Sequence, residues 1–169
     1  MKTQVMLDLE TLGQKPGSVI VAIGAVQFGG GKITSEFYRR ITATSAVRVG
    51  LRIDAETVLW WLKQSDAARA EITQPGEAIA RVLMDFTTWL GAAEAEVWGN
   101  GAGFDNVLLA AAYDACGLKP PWNFWNDRCY RTMKNLRLVD LPPQTGTAHN
   151  ALDDARYQAQ HLMKILDTP

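Results

Sequence analysis

Two acids stand two residues apart near the N-terminus, in Val5-Met6-Leu7-Asp8-Leu9-Glu10-Thr11. An apolar run of this kind reads as a strand. Strand side chains alternate faces, so Asp8 and Glu10 point one way while Leu7 and Leu9 point the other. Two carboxylates side by side on a buried strand repel each other. They are tolerated when both are ionised around a cation, or when one holds a proton. The competing explanation is a strand end that has reached solvent, and a short Asp-x-Glu match does not decide between the two.

Two further stretches carry groups of the same chemistry. Gly99-Asn100-Gly101-Ala102-Gly103-Phe104-Asp105 reads as a strand end, a glycine turn and a helix start. It is not a dinucleotide fingerprint, because G-x-G-x-x-G requires glycine where Phe104 stands. Asp105 either favours the positive N-terminal end of its helix or serves as a carboxylate at the carboxyl edge of a strand, where open α/β sheets place their sites. His149-Asn150-Ala151-Leu152-Asp153-Asp154 opens the final helical segment. At about 100° per residue, Ala151, Ala155, Leu162, Ile165 and Leu166 cluster around one meridian. Asp154 sits at the edge of that face and Asp153 on the opposite, solvent side. Asn150 is placed to cap the helix, leaving His149 just outside it. His161, mid-helix with no acidic companion, reads as a structural histidine.

The elements that position these residues follow from pattern. Ser18 to Phe28 is β-branched and apolar, a central strand. Gly29-Gly30-Gly31-Lys32 turns the chain, and Ile33 to Ile41 returns as a more polar strand of the same hairpin. The glycines form no phosphate loop, since the G-x-x-x-x-G-K-[ST] spacing is absent. Asp54 to Gln64 begins a helical region containing Trp60-Trp61, with Asp54 or Ser45 as cap positions. After Pro75-Gly76 a helix from about Glu77 to Leu90 carries Ile79, Val82, Leu83, Phe86 and Leu90 at core-facing spacing. A helix from Phe104 to Cys116 stops at Gly117. Asp127 to Leu138 reads as a short helix with Arg128, Arg131, Lys134 and Arg137 at three-residue steps. Pro142 to Thr147 is loop, and a last helix runs from about Asn150 to Leu166. Strands first, then helices alternating with a strand, predict a mixed α/β sheet domain.

Composition narrows the function classes. A chain of 169 residues with 47% hydrophobic content is long enough for one substantial core. Its net charge of −1 excludes a broadly basic nucleic-acid clamp, so contact with phosphates must be local. Cys116 and Cys129 make no C-x-x-C and fit a reduced, cytoplasmic protein. The opening residues show no signal-peptide h-region and no apolar run is long enough to span a bilayer, so a cytoplasmic setting is expected.

Asp8-x-Glu10, then Asp105 after a strand and turn, then His149 and Asp154 at a helix start, resemble in order and spacing the DnaQ-like 3′–5′ exonucleases. They resemble in particular the DEDDh subgroup, named for four acids and a histidine. The resemblance covers nearly the whole chain. Thr57–Gln64 and Arg131-Thr132 look like the small exoribonuclease and phage-type branch. The resemblance implies a ribonuclease H-like fold: a five-stranded mixed sheet, strand two antiparallel, flanked by helices. It also implies two divalent cations, Mg²⁺ or Mn²⁺, and several relatives are homodimers. Hard cations demand oxygen ligands, which suits carboxylates rather than Cys/His clusters. By carry-over, Asp8 bridges both ions, Glu10 and Asp154 complete the first site, and Asp105 holds the second, through water. His149 takes the proton from the attacking water, a task suited to an imidazole. The substrate implied is single-stranded RNA or DNA, or a 3′ overhang, released as nucleoside 5′-monophosphates. Thr11, Leu12, Trp61, Asn100, Phe104 and Arg131 are the candidate substrate contacts. Leu12 is placed to wedge against a terminal base, Trp60 or Trp61 to flank it, and Arg131 to meet phosphate. The competing classes are a non-catalytic nucleic-acid-binding module on the same fold and an unrelated nucleotide-binding domain.

Overall fold

The computed structural model describes residues 2–91, 94–140, 143–144, 146 and 149–167. Pro142, Thr145 and Thr147, in the expected loop, lie outside the described residues. Strands β1 (Gln4–Thr11), β2 (Ile20–Gly29) and β3 (Lys32–Arg40) form an antiparallel meander. Its hairpin turns on Gly30 and Gly31, with φ of 57° and 75°, a conformation glycine adopts without steric cost. Strands β4 (Glu96–Gly99) and β5 (Asp127–Cys129) add in parallel on the other side of β1. The order β3-β2-β1-β4-β5 is that of a ribonuclease H-like sheet with β2 antiparallel to the rest.

The sheet is covered on both faces, and the alternation of β1 decides what each face receives. Val5, Leu7 and Leu9 pack with Val82, Leu83, Phe86, Leu108 and Leu109, which belong to α4 (Ile79–Leu90) and α5 (Asp105–Ala115). Met6 points the other way, into a second core with Ala155, Ala159, Leu162 and Ile165 of α7 (Ala151–Asp167). Asp8 and Glu10 continue the Met6 face and therefore run beneath the start of α7. Gly24, paired with Asp8 across the sheet, makes that approach possible. A Cβ there would stand 2.1 Å from the carbonyl carbon of Ala151.

The remaining helices are α1 (Ala43–Arg48), α2 (Ala55–Leu62), α3 (Asp66–Thr73) and α6 (Tyr130–Leu136). Asp54 caps α2, accepting from the Thr57 N–H at 3.1 Å. Ser45 caps nothing upstream of α2. It lies inside α1, and its hydroxyl oxygen accepts from the Ile79 N–H that opens α4, at 3.0 Å. All five stripe residues of α4 are buried. The largest difference from expectation lies at 127–138, which is not one helix. Asp127–Cys129 pairs with β4 as an edge strand, and the helix starts only at Tyr130. Arg128 is therefore a strand residue bound to Glu96 at 2.7 Å, and Arg137 donates to the Ile165 carbonyl at 3.2 Å. On α7, Leu166 is exposed rather than part of the buried face.

Candidate active site

The acids meet where β1 passes under α7. Ligand atoms of Asp8, Glu10 and Asp154 all lie within 4.8 Å of one another. Asn150 accepts from the Leu152 and Asp153 N–H groups at 3.1 Å, which fixes the first turn of α7 and its phase. That phase turns Asp154 towards β1 and leaves Asp153 to pair with Arg156 at 2.9 Å along the helix. Asp105, the first residue of α5, reaches the same cleft from the end of β4. Its carboxylate accepts from the Asn100 N–H at 3.0 Å, closing the glycine turn around it. His149 lines the same cleft, of about 460 Å³, and its backbone N–H donates to Asp154 Oδ2 at 3.2 Å.

Crowding four carboxyl groups in a partly dry cleft makes their charged forms costly. Burial, then Asp105 and Asp154, holds Asp8 well above the usual carboxylate range, and the Gln158 amide only partly offsets this. Burial, with Asp8 next in effect, pushes Glu10 to about 10. Asp105 is raised to about 7 by burial, against hydrogen bonds from the Asn100 and Leu9 backbone. Burial also raises Asp154, opposed by the His149 N–H. Glu10 Oε1 is buried and has no hydrogen-bond partner among the described residues. A clustered set of oxygen donors, one of them orphaned, fits a hard divalent cation: Asp8, Glu10 and Asp154 suit one ion, with Asp105 beside them.

The candidate substrate contacts divide. Asn100, Phe104 and Arg131 line the cleft, and Arg131 also donates to the Asn100 carbonyl at 2.6 Å. Thr11, Trp61 and Phe104 line an adjoining pocket of about 170 Å³, together with Trp60. Trp61 is 2% exposed and Trp60 43%, so one of the adjacent pair is core and the other faces out. The Thr11 hydroxyl is taken by the Gly13 carbonyl at 2.7 Å. Leu12 is not placed as a wedge: it is packed into the core and lines neither cavity. Of the basic series, Arg131 and Lys134, one turn apart on α6, line the cleft, whereas Arg128 and Arg137 are committed elsewhere. His161 is buried and satisfied by the Tyr130 hydroxyl at 2.7 Å and the Val139 carbonyl at 3.1 Å.

Two residues that hold the acids have no counterpart among the expected ones. Gln158 donates to Asp8 Oδ1 at 2.8 Å, and Gln144 donates to Asp154 Oδ1 at 2.5 Å. Gln158 was detectable in principle, being four residues after Asp154 and so on the same helix face. Gln144 carries no such periodic signal.

A sheet of this order, with acids converging from β1, the β4 edge and α7, is a ribonuclease H-like fold. Within it, residues 3–166 match the model of the 3′–5′ exoribonuclease Rv2179c-like domain, and the chain belongs to that family. Similar solved structures include E. coli Exonuclease I in complex with a dT13 oligonucleotide, at TM-score 0.71 and 14% identity over 99% of this chain. The chain spans only 41% of that protein. The nuclease domain of 3′hExo, a DEDDh family member bound to rAMP, aligns at TM-score 0.66 and 13% identity, covering 98% of this chain and 92% of that one. Exonuclease X in complex with 5′ overhanging duplex DNA aligns at 0.61 and 18%, with the same coverage of both chains. No curated protein matches the chain. Among the described residues, no helix is long and apolar enough to cross a membrane.

Proposed function

We propose that this chain is a metal-dependent 3′–5′ exonuclease of the DEDDh type, acting on single-stranded 3′ ends and releasing nucleoside 5′-monophosphates. The observation that carries this is the convergence of Asp8, Glu10 and Asp154 within 4.8 Å, in a cleft that also holds Asp105 and His149. A non-catalytic module would have no need to crowd these carboxylates at such electrostatic cost. RNA is the first substrate to test, on the strength of the family's description as exoribonucleases and of the rAMP bound to 3′hExo.

Asp8, Glu10 and Asp154 would hold one divalent cation, and Asp8 with Asp105 a second. Bound Mg²⁺ or Mn²⁺ supplies Lewis acidity to the phosphoryl oxygens and a water that ionises at neutral pH. The chain's own residues do the rest. Gln158 holds one oxygen of Asp8, which orients the other towards the cleft. The Asn100 N–H does the same for Asp105. His149 is the base that accepts the proton of the attacking water. Arg131 and Lys134 stand on the cleft wall, where they meet the phosphates of the strand. With so few cations, binding is short and local. The two free cysteines, Cys116 and Cys129, suit a reducing, cytoplasmic setting.

The test is a product ladder from 5′-labelled single-stranded RNA and DNA, and from duplexes with 3′ overhangs, each with Mg²⁺, Mn²⁺ or EDTA. Stepwise shortening from the 3′ end that stops in EDTA is the expected result. Binding without shortening under every metal condition would refute catalysis and leave the binding module.

A further inference from the structure

His149 lacks what ordinarily fixes a general base. Its only hydrogen bond among the described residues is made by its backbone N–H, and neither ring nitrogen has a partner. Its backbone lies at φ 64°, in the left-handed region that residues with a side chain seldom adopt. Two indoles surround the imidazole instead. The Trp60 ring lies 5.1 Å away at 86°, and the Trp61 ring 5.9 Å away at 78°. The indoles contact each other at 5.0 Å, so the three rings form a closed triangle. Trp61 is anchored, since its Nε1–H donates at 2.8 Å to the carbonyl of Thr11, the residue after Glu10.

We propose that Trp60 and Trp61 are the positioning residues of His149, an aromatic wall that takes the place of a hydrogen-bonded carboxylate. This rests on the reading of His149 as the base. A carboxylate orienter occupies one ring nitrogen and adds negative charge, in a cleft that already gathers four acids. A pair of indole walls restricts rotation of the imidazole and leaves both nitrogens open to water. The link from Trp61 to Thr11 ties the base to the strand that carries Asp8 and Glu10, so base and acids keep one frame of reference.

The competing role for Trp60 is a platform for a nucleobase, because it also lines the 170 Å³ pocket. The split between kcat and KM separates the two. Trp60 is the residue to change, because Trp61 is core and its loss risks the fold. The chain has two histidines, and His161 is remote from the indoles, so ¹³C-histidine spectra carry their own reference. Trp60→Ala should move the ring C–H resonances of His149, assigned with His149→Ala, and leave those of His161 in place. In the same variant kcat should fall about 10–100-fold, the usual consequence of a base displaced by around an ångström. KM should stay within about twofold, and Trp60→Phe should restore most of kcat. An unmoved His149 resonance would overturn the proposal, as would a raised KM with unchanged kcat. A wild type inactive on every nucleic acid would sink the exonuclease reading alone, and the resonance would still decide the contact.

Discussion

Glu10→Gln tests the electrostatics of the cleft without any substrate. Burial and the neighbouring Asp8 push Glu10 from 4.5 to about 10, so the metal-free folded chain holds a proton there at pH 7 that the unfolded chain releases. Capturing a proton at pH 7 on a group of ordinary pKa 4.5 costs about 3 kcal/mol, at about 1.4 kcal/mol per pH unit. Because the folded value is raised, the stability is complete below pH 4.5 and is lost progressively as pH climbs towards 10. Glutamine keeps the shape and an amide oxygen but takes up no proton. Thermal unfolding in EDTA should therefore find the variant more stable than wild type by about 1 kcal/mol at pH 5.5, about 3 at pH 7 and about 5 at pH 8.5. At about 2–4 °C per kcal/mol for a domain of this size, the pH 7 gain is roughly 6–12 °C. Excess Mg²⁺ should narrow or reverse the order, because the intact site gains binding energy that the variant has partly lost. A stability difference that does not grow with pH in EDTA would refute the reasoning, since Glu10 would then not be a protonated carboxyl in the folded chain.

Asp154→Ala should abolish hydrolysis, while Asp153→Ala, whose carboxylate pairs with Arg156 along the helix, should keep kcat within about twofold. The reverse ranking in a turnover assay would show that the phase of α7 is misassigned. His149→Ala should lower kcat by about 10²–10⁴-fold. Calorimetric Mg²⁺ affinity should be unchanged, and a collapse of that affinity would make the histidine a ligand. Gly24→Ala drives a methyl into the Ala151 backbone and should cost about 3 kcal/mol or more, with activity falling as α7 lifts from β2. An unaltered melting temperature would mean that α7 does not sit there. Arg131→Ala should raise KM, and the salt dependence of binding should correspond to only a few phosphates. A steep salt slope would indicate a long footprint instead.

The legible part of this chain is whatever a local period can encode. Alternation on β1 placed Asp8 and Glu10 on one face. The turn of α7 separated Asp154 from Asp153, and the α4 stripe named five residues that are all buried. Where the reading failed, a tertiary contact had overridden the local pattern. Asp127–Cys129 carries too few residues to show a strand period, and the cations at three-residue steps from Arg128 to Arg137 mimic one continuous helix. Only pairing with β4 makes it extended. Helices α1 and α3 are short and announce themselves by the caps Thr42 and Ser65 rather than by an apolar stripe. Leu12 has the residue type for a base wedge, but the chain past β1 is bound into the core by two backbone bonds. Its N–H donates to the Val19 carbonyl at 2.8 Å, and its own carbonyl accepts from the Asp54 N–H at 2.7 Å.

The same distinction separates the acids from the groups that hold them. A metal-binding carboxylate is dictated by chemistry, so its type and its face are both written into the sequence. Its support is dictated by reach, and many residue types suffice. Gln158 holds Asp8 across 150 positions of sequence, Gln144 reaches Asp154 from a loop, and the His149 ring rests on indoles from α2. Helical spacing puts Gln158 on the face of Asp154, but no period names its partner on β1, and the other two pairings have no periodic signal at all. Gly24 shows the dependence on packing most sharply. Nothing in its neighbours on β2 calls for glycine, and the requirement comes wholly from the backbone of Ala151, which must descend onto the sheet for Asp154 to meet Asp8.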